Sequence, residues 1–187
     1  MKESIFNHNE EKKTNKFRKN QQLDNLIKEL KALLEPVQIK KQKYFSTNKY
    51  PLGFIVGVPR SGSTLLLQWA ASLGVFSYPT NVLNRFAYAP YIGALIQKLL
   101  FDPEYDFSEE LSDLNSSVEF TSNLGKTTGA LATNEFQHFF RNYMNNFDPQ
   151  HLTKEELNKV DFDGIRRGLA SIETAFEKPF IVKLVML

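Results

Sequence analysis

The sequence predicts an α/β protein in which a parallel sheet is flanked by helices and preceded by an amphipathic N-terminal helix. Three observations carry this expectation. A short β-branched apolar run from Phe54 to Val58 breaks at Pro59 into a loop holding Gly62, then resumes as a helical pattern through Leu65, Leu66 and Trp69. A second apolar, β-branched run over 179–187 has the composition of a buried parallel strand. Between the two lie several stretches with apolar residues at three- and four-residue spacing, so strands alternate with helices, and a loop after the first strand falls at its carboxyl end.

Taken in order, residues 1 to about 20 are rich in Lys, Asn and Glu. They hold too little apolar surface to offset the entropy of ordering, and disorder is expected there. Over 21–35 the apolar residues Leu23, Leu26, Ile27, Leu30, Leu33 and Leu34 form one helical face, which predicts a helix ending before Pro36 and docking on its own domain or on a partner. Residues 37–51 read as a basic linker. The helix after the loop runs from Ser63 to Leu73, with Gly74 as its left-handed terminator. Tyr78-Pro79 is extended or turned, and one helix is expected over 81–101 through Phe86, Tyr88, Tyr91, Leu95, Leu99 and Leu100. Residues 102–128 are polar and of a length that suits a substrate-facing loop. A helix with an aromatic face (Phe136, Phe139, Phe140, Tyr143, Met144, Phe147) is expected over 131–147, capped by Thr133 or Asn134. Thr153 to Glu156 matches a capping box, a further helix spans 163–176, and Pro179 resets the chain for the last strand. Nothing turns or caps the chain after that strand, so the sheet is expected to be incomplete at the C-terminus. Two regions follow: a basic arm over 1–49 containing the helix 21–35, and a domain over 50–187.

The chain of 187 residues has a net charge of +2 that hides an asymmetry. Residues 1–49 carry twelve Lys or Arg against six Asp or Glu, so the arm is basic and the remainder is acidic. A basic arm can meet nucleic acid or an acidic membrane, but this one is interrupted by Glu10, Glu11 and Glu29 and lacks interleaved aromatics that stack bases. A solvated tail with a docking helix is the better reading, and no nucleic-acid partner is expected. With no cysteine and three scattered histidines, neither a disulfide nor a metal site is expected. The start of the chain lacks an apolar secretory core, and no run approaches the roughly 18 apolar residues of a membrane span. A cytoplasmic location is the default expectation.

The loop is where chemistry is expected. A strand-to-helix loop turns unpaired N–H groups toward one point at the positive end of the helix dipole, which favours a phosphate or sulfate. The spacing Gly57-x-x-x-x-Gly62 matches the first part of the nucleotide-binding P-loop, so the sheet is of P-loop type, but Ser63 stands where that motif requires Lys. Without that lysine, nucleoside triphosphate hydrolysis or kinase chemistry is disfavoured, while Arg60 supplies a cation from within the loop. The plain alternative is an ordinary turn whose Ser and Thr cap the helix.

The segment Pro59-Arg60-Ser61-Gly62-Ser63-Thr64-Leu65-Leu66 resembles the 5′-phosphosulfate-binding loop of the PAPS-dependent sulfotransferases, in particular the bacterial and carbohydrate-acting branch, which typically has Arg where other members have Lys. The resemblance covers about 52–187 and is concentrated in the loop. It implies that Arg60, Ser61, Gly62, Ser63 and Thr64 hold the 5′-phosphosulfate of 3′-phosphoadenosine 5′-phosphosulfate (PAPS). It also implies that the residues for the 3′-phosphate lie beyond Leu187, and that the protein transfers a sulfuryl group to a hydroxyl or amine of a small-molecule or carbohydrate acceptor without a metal. Such transfer needs a base for the acceptor proton. Asn134 to Arg141 is weakly similar to a segment of bacterial sulfotransferases, which makes Glu135 the first candidate base and His138 the second, one turn apart on one side of the expected helix. The alternatives are a first-turn acid that complements the helix dipole and a surface histidine. Lys183 is either an inward-reaching cation near the site or a residue at a polar end of the sheet, and Arg166 and Arg167 read as solvated. Two rival functions stay open: a non-catalytic anion- or partner-binding fragment, and a P-loop NTPase or kinase.

Overall fold

The computed structural model describes residues 20–58, 60–114, 122–123, 126–144 and 152–185. It is a mixed α/β fold, mostly helical, around a small two-stranded parallel sheet. The residues expected to be a disordered tail, 1–19, lie outside the described residues, as do 115–121 of the polar loop.

Helix α1, Gln21–Gln42, starts at Asn20, whose side-chain oxygen accepts from the Leu23 N–H at 3.0 Å. It does not stop before Pro36, as the sequence suggested, but carries that proline inside and continues for one and a half turns into the expected linker. The reason is tertiary. Proline removes only one intrahelical hydrogen bond, here on a side where Ala32 and Pro36 face solvent, and the added turns are held from the other side. The buried Gln38 accepts from the Tyr91 N–H at 3.1 Å, and the Gln42 amide donates to the Gly164 carbonyl at 2.7 Å and the Tyr143 hydroxyl at 3.1 Å.

Strand β1, Leu52–Gly57, pairs in parallel with β4, Phe180–Val185, in a register running from Leu52 opposite Phe180 to Gly57 opposite Val185. Helix α2, Ser63–Ser72, follows the loop, and Gly74 adopts the expected left-handed φ of 69° behind it. The chain then lays Ser77 along the other edge of β4, where the Ser77 N–H donates to the Pro179 carbonyl at 2.8 Å and the Ile181 N–H donates to the Ser77 carbonyl at 2.9 Å.

The single helix expected over 81–101 is two: α3, Asn81–Arg85, capped by Thr80, and α4, Pro90–Phe101. Pro90 explains the break, because the residue before a proline is driven out of helical geometry, and Ala89 sits at φ −137°, ψ 61°. The polar segment after α4 contains three single-turn 3₁₀ helices, Pro103–Tyr105, Phe107–Glu109 and Ser112–Leu114. A small antiparallel hairpin follows, β2 (Ser122–Asn123) with β3 (Lys126–Thr127).

The aromatic helix expected over 131–147 is reduced to α5, Gln137–Arg141, and neither Thr133 nor Asn134 caps it; residues 145–147 lie outside the described residues. Residues 130–134 instead bond to the start of α3, with the Asn81 N–H donating to Ala132, Val82 to Ala130 and Asn134 to Pro79. The Asn134 side chain accepts from the Phe136 N–H at 2.9 Å, which turns Phe136 into the left-handed region (φ 57°) just before the helix. Helix α6, Lys154–Leu157, has the expected capping box between Thr153 and Glu156. Helix α7, Phe162–Phe176, is capped by Asp161.

The core joins α3, α4, α5 and α7 to β4: Leu83, Ala94, Phe136, Phe139, Leu169, Ile172, Phe180 and Val182 are buried together. Phe136 and Phe139 stack at 4.8 Å, and α7 approaches so closely at Gly168 that a Cβ there would lie 2.7 Å from the Phe139 ring. On the same helix the fully buried Glu173 carboxylate accepts from the Asn48 amide and from the N–H groups of Lys49 and Tyr50, which ties α7 to the entry of β1. No described helix is long and apolar enough to cross a membrane.

Candidate functional site

The loop closes tightly on the end of β1. Gly57 is required there, because a Cβ would stand 2.7 Å from the Ser61 hydroxyl. Arg60 and Gly62 both take positive φ, 67° and 82°. A left-handed arginine costs on the order of 1–2 kcal/mol, and such strain gathers where a loop serves binding rather than folding. Gly62 is the N-cap residue of α2 and provides no side-chain cap, so the serines and threonine of the loop do not close the helix in the ordinary way. The first-turn N–H groups therefore remain oriented toward the space in front of the loop. Arg60 and Ser61 are exposed, while Ser63 and Thr64 are half-buried.

Behind the loop stands a buried cation. Lys183 lies opposite Ile55 in the β1–β4 register, and its ammonium donates to the Thr64 hydroxyl at 2.9 Å and to the Glu135 carboxylate at 2.7 Å. The lysine side chain is 7% exposed and the glutamate 33%, so solvent reaches the pair from the carboxylate side only. This resolves the open reading of Lys183 in favour of an inward-reaching cation. The sequence signal was its isolation in an otherwise apolar strand, which left its direction undetermined.

Glu135 and His138 do not share a side of a helix, because Glu135 precedes α5 and the left-handed Phe136 separates them. Glu135 turns to the loop. His138 instead lines a polar cavity of about 270 Å³ with Glu135, Asn81, Asn84 and Asn134, and a second, larger cavity on its other side. By surface area His138 is exposed, yet the surrounding protein desolvates the ring enough to push its pKa below the usual 6.5, and Arg141 pushes the same way. It makes no hydrogen bond to any described residue. Among the described residues no three His, Cys, Asp or Glu side chains gather into a group that could hold a metal.

Thr64, Lys183 and Glu135 are thus brought together, Arg60 is exposed on the same loop, and His138 meets Glu135 only across the polar cavity that both line. No family model matches the chain, and no curated protein or solved structure is similar to it.

Proposed function

We propose that the protein is a sulfotransferase that uses PAPS as sulfuryl donor and a hydroxyl- or amine-bearing acceptor, with a P-loop-type anion site. The observation that carries this reading is Lys183, whose ammonium bridges Thr64 of the loop and Glu135. A loop lacking the usual P-loop lysine acquires a cation from a different strand, in a partly dry setting where it acts more strongly than in water. Arg60 and the N–H groups of Ser61, Gly62, Ser63 and Thr64 would hold the 5′-phosphosulfate. Glu135, whose Oε1 accepts from Lys183 and whose Oε2 accepts from the Gln137 amide at 3.0 Å on a side chain one-third exposed, would take the proton from the attacking hydroxyl. The acceptor oxygen would bond to sulfur as the sulfur–oxygen bond to the phosphate breaks, and Lys183 would stabilise the negative charge that gathers there. Glu135 is preferred as base because it is the one bonded to Lys183, and His138, which lines the same polar cavity as Glu135, stays the second candidate. The rival NTPase reading places a triphosphate on the same loop, and it is separated by nucleotide choice.

Calorimetric titration with 3′-phosphoadenosine 5′-phosphate (PAP), and with ATP and magnesium, tests the proposal on the wild-type chain and on Arg60→Ala. Loss of one charge-assisted contact should weaken PAP binding by roughly 10- to 100-fold. ATP turnover, or no PAP binding by the folded wild-type chain, would overturn the reading.

A further inference from the structure

The larger cavity beside His138 has a chemistry of its own. It measures about 630 Å³ and lies between the first half of α1 and the α3–α5 side of the domain. Lys28 and Lys31 reach it from α1, and Arg85 and Arg141 from the domain, against a single lining acid, Asp24. Lys31 is turned toward Glu35 at 3.5 Å, but Lys28, Arg85 and Arg141 have no carboxylate within ion-pairing distance among the described residues. Four basic side chains against one carboxylate around a single hollow raise its potential and favour a bound anion. Tyr88 and Asn84 of the wall each carry a buried polar side-chain atom without a partner among the described residues.

The cavity is not isolated. Asn84 and His138 line both it and the smaller polar cavity that reaches Glu135. The smaller one is lined by Asn and Gln amides, the hydroxyls of Thr127 and Thr133, the Glu135 carboxylate and the His138 imidazole, with no Phe, Tyr or Trp and no Lys or Arg among its lining residues, which suits a polyhydroxylated ring rather than a flat phenol. We infer that the two cavities form one acceptor track, and that the acceptor is an acidic saccharide: its hydroxyl-bearing ring lies beside Glu135 and its carboxylate, or an equivalent anionic group, is held by Lys28, Arg85 and Arg141. This rests on the sulfotransferase reading for the role of Glu135, while the anion site itself rests on the cavity alone. Helix α1 thereby becomes a wall of the binding site rather than a docking accessory.

The probe is a galacturonic acid trisaccharide, with its methyl ester as the uncharged control, titrated into the full chain and followed by amide NMR shifts. Shifts should appear at residues 24–31, 81–88, 127 and 133–142, which line the two cavities, and the ester should bind at least about tenfold more weakly, as should the acid to Arg141→Gln or Lys28→Gln. Both substitutions replace exposed side chains, so an unchanged spectrum of the free variant shows that folding is intact. Equal binding of acid and ester, shifts elsewhere, or no binding at millimolar concentration would overturn the inference. The PAP titration separates the two claims. Trisaccharide binding without PAP binding would leave an anion cavity and remove the acceptor role, and PAP binding without trisaccharide binding would remove the acceptor track alone.

Discussion

The two paired strands are alike in composition, yet the face that carries Val182 on β4 is covered while the same face of β1 is open at Phe54 and Val56. Val182 of β4 is fully buried, whereas Phe54, its in-register partner on β1, is 47% exposed, and Val56 is 57% exposed. The difference is not in the residues. Helices α5 and α7 bring Phe136, Phe139, Leu169 and Ile172 over β4 and reach β1 only at Leu52, so that Phe54 and Val56 stay open while Ile55, on the other face, is buried. The same division runs along α2, where Leu67, Ala70 and Ala71 are buried and Leu65, Trp69 and Leu73 are exposed. Apolar pattern selects which residues can be covered, and the placement of distant helices decides which ones are.

Substitutions on the two sides sharpen this contrast. Phe139→Ala, in the covered half, should be the most damaging: it removes a ring stacked on Phe136 and packed under Gly168, at a cost of about 3–5 kcal/mol in urea-unfolding free energy. A loss below about 1 kcal/mol would mean that the core can collapse around the gap. The same conservative change made in both strands gives a smaller and more direct comparison. Val182→Thr buries a hydroxyl and should cost about 1–3 kcal/mol, while Val56→Thr, on the open strand, should stay within about 0.5 kcal/mol. Equal effects would show that β1 is covered in solution as well as β4.

What could be read from the sequence was local. The strand–loop–helix around Gly62, the terminator Gly74 and the capping box at Thr153 each depend on residues within a few positions, and all are present. The errors came where distant groups decide. Gln38 and Gln42 extend α1 past Pro36 through bonds to Tyr91, Tyr143 and Gly164, and residues 130–134 surrender helical geometry to pair with α3. The site followed the same rule. Its loop was legible, but the meeting of Lys183 with Glu135 spans 48 positions and depends on the β1–β4 register, which no spacing in the sequence reveals.

In the proposed function Lys183 serves an anion held by the loop, and Glu135 pairs with that lysine until the anion arrives. The most direct test is the PAP affinity of Glu135→Gln beside that of the wild-type chain. Removing the competing carboxylate frees the ammonium for the incoming anion, so binding should tighten by up to about tenfold. Unchanged or weaker binding in a folded Glu135→Gln protein would place Lys183 outside the anion site and contradict the account.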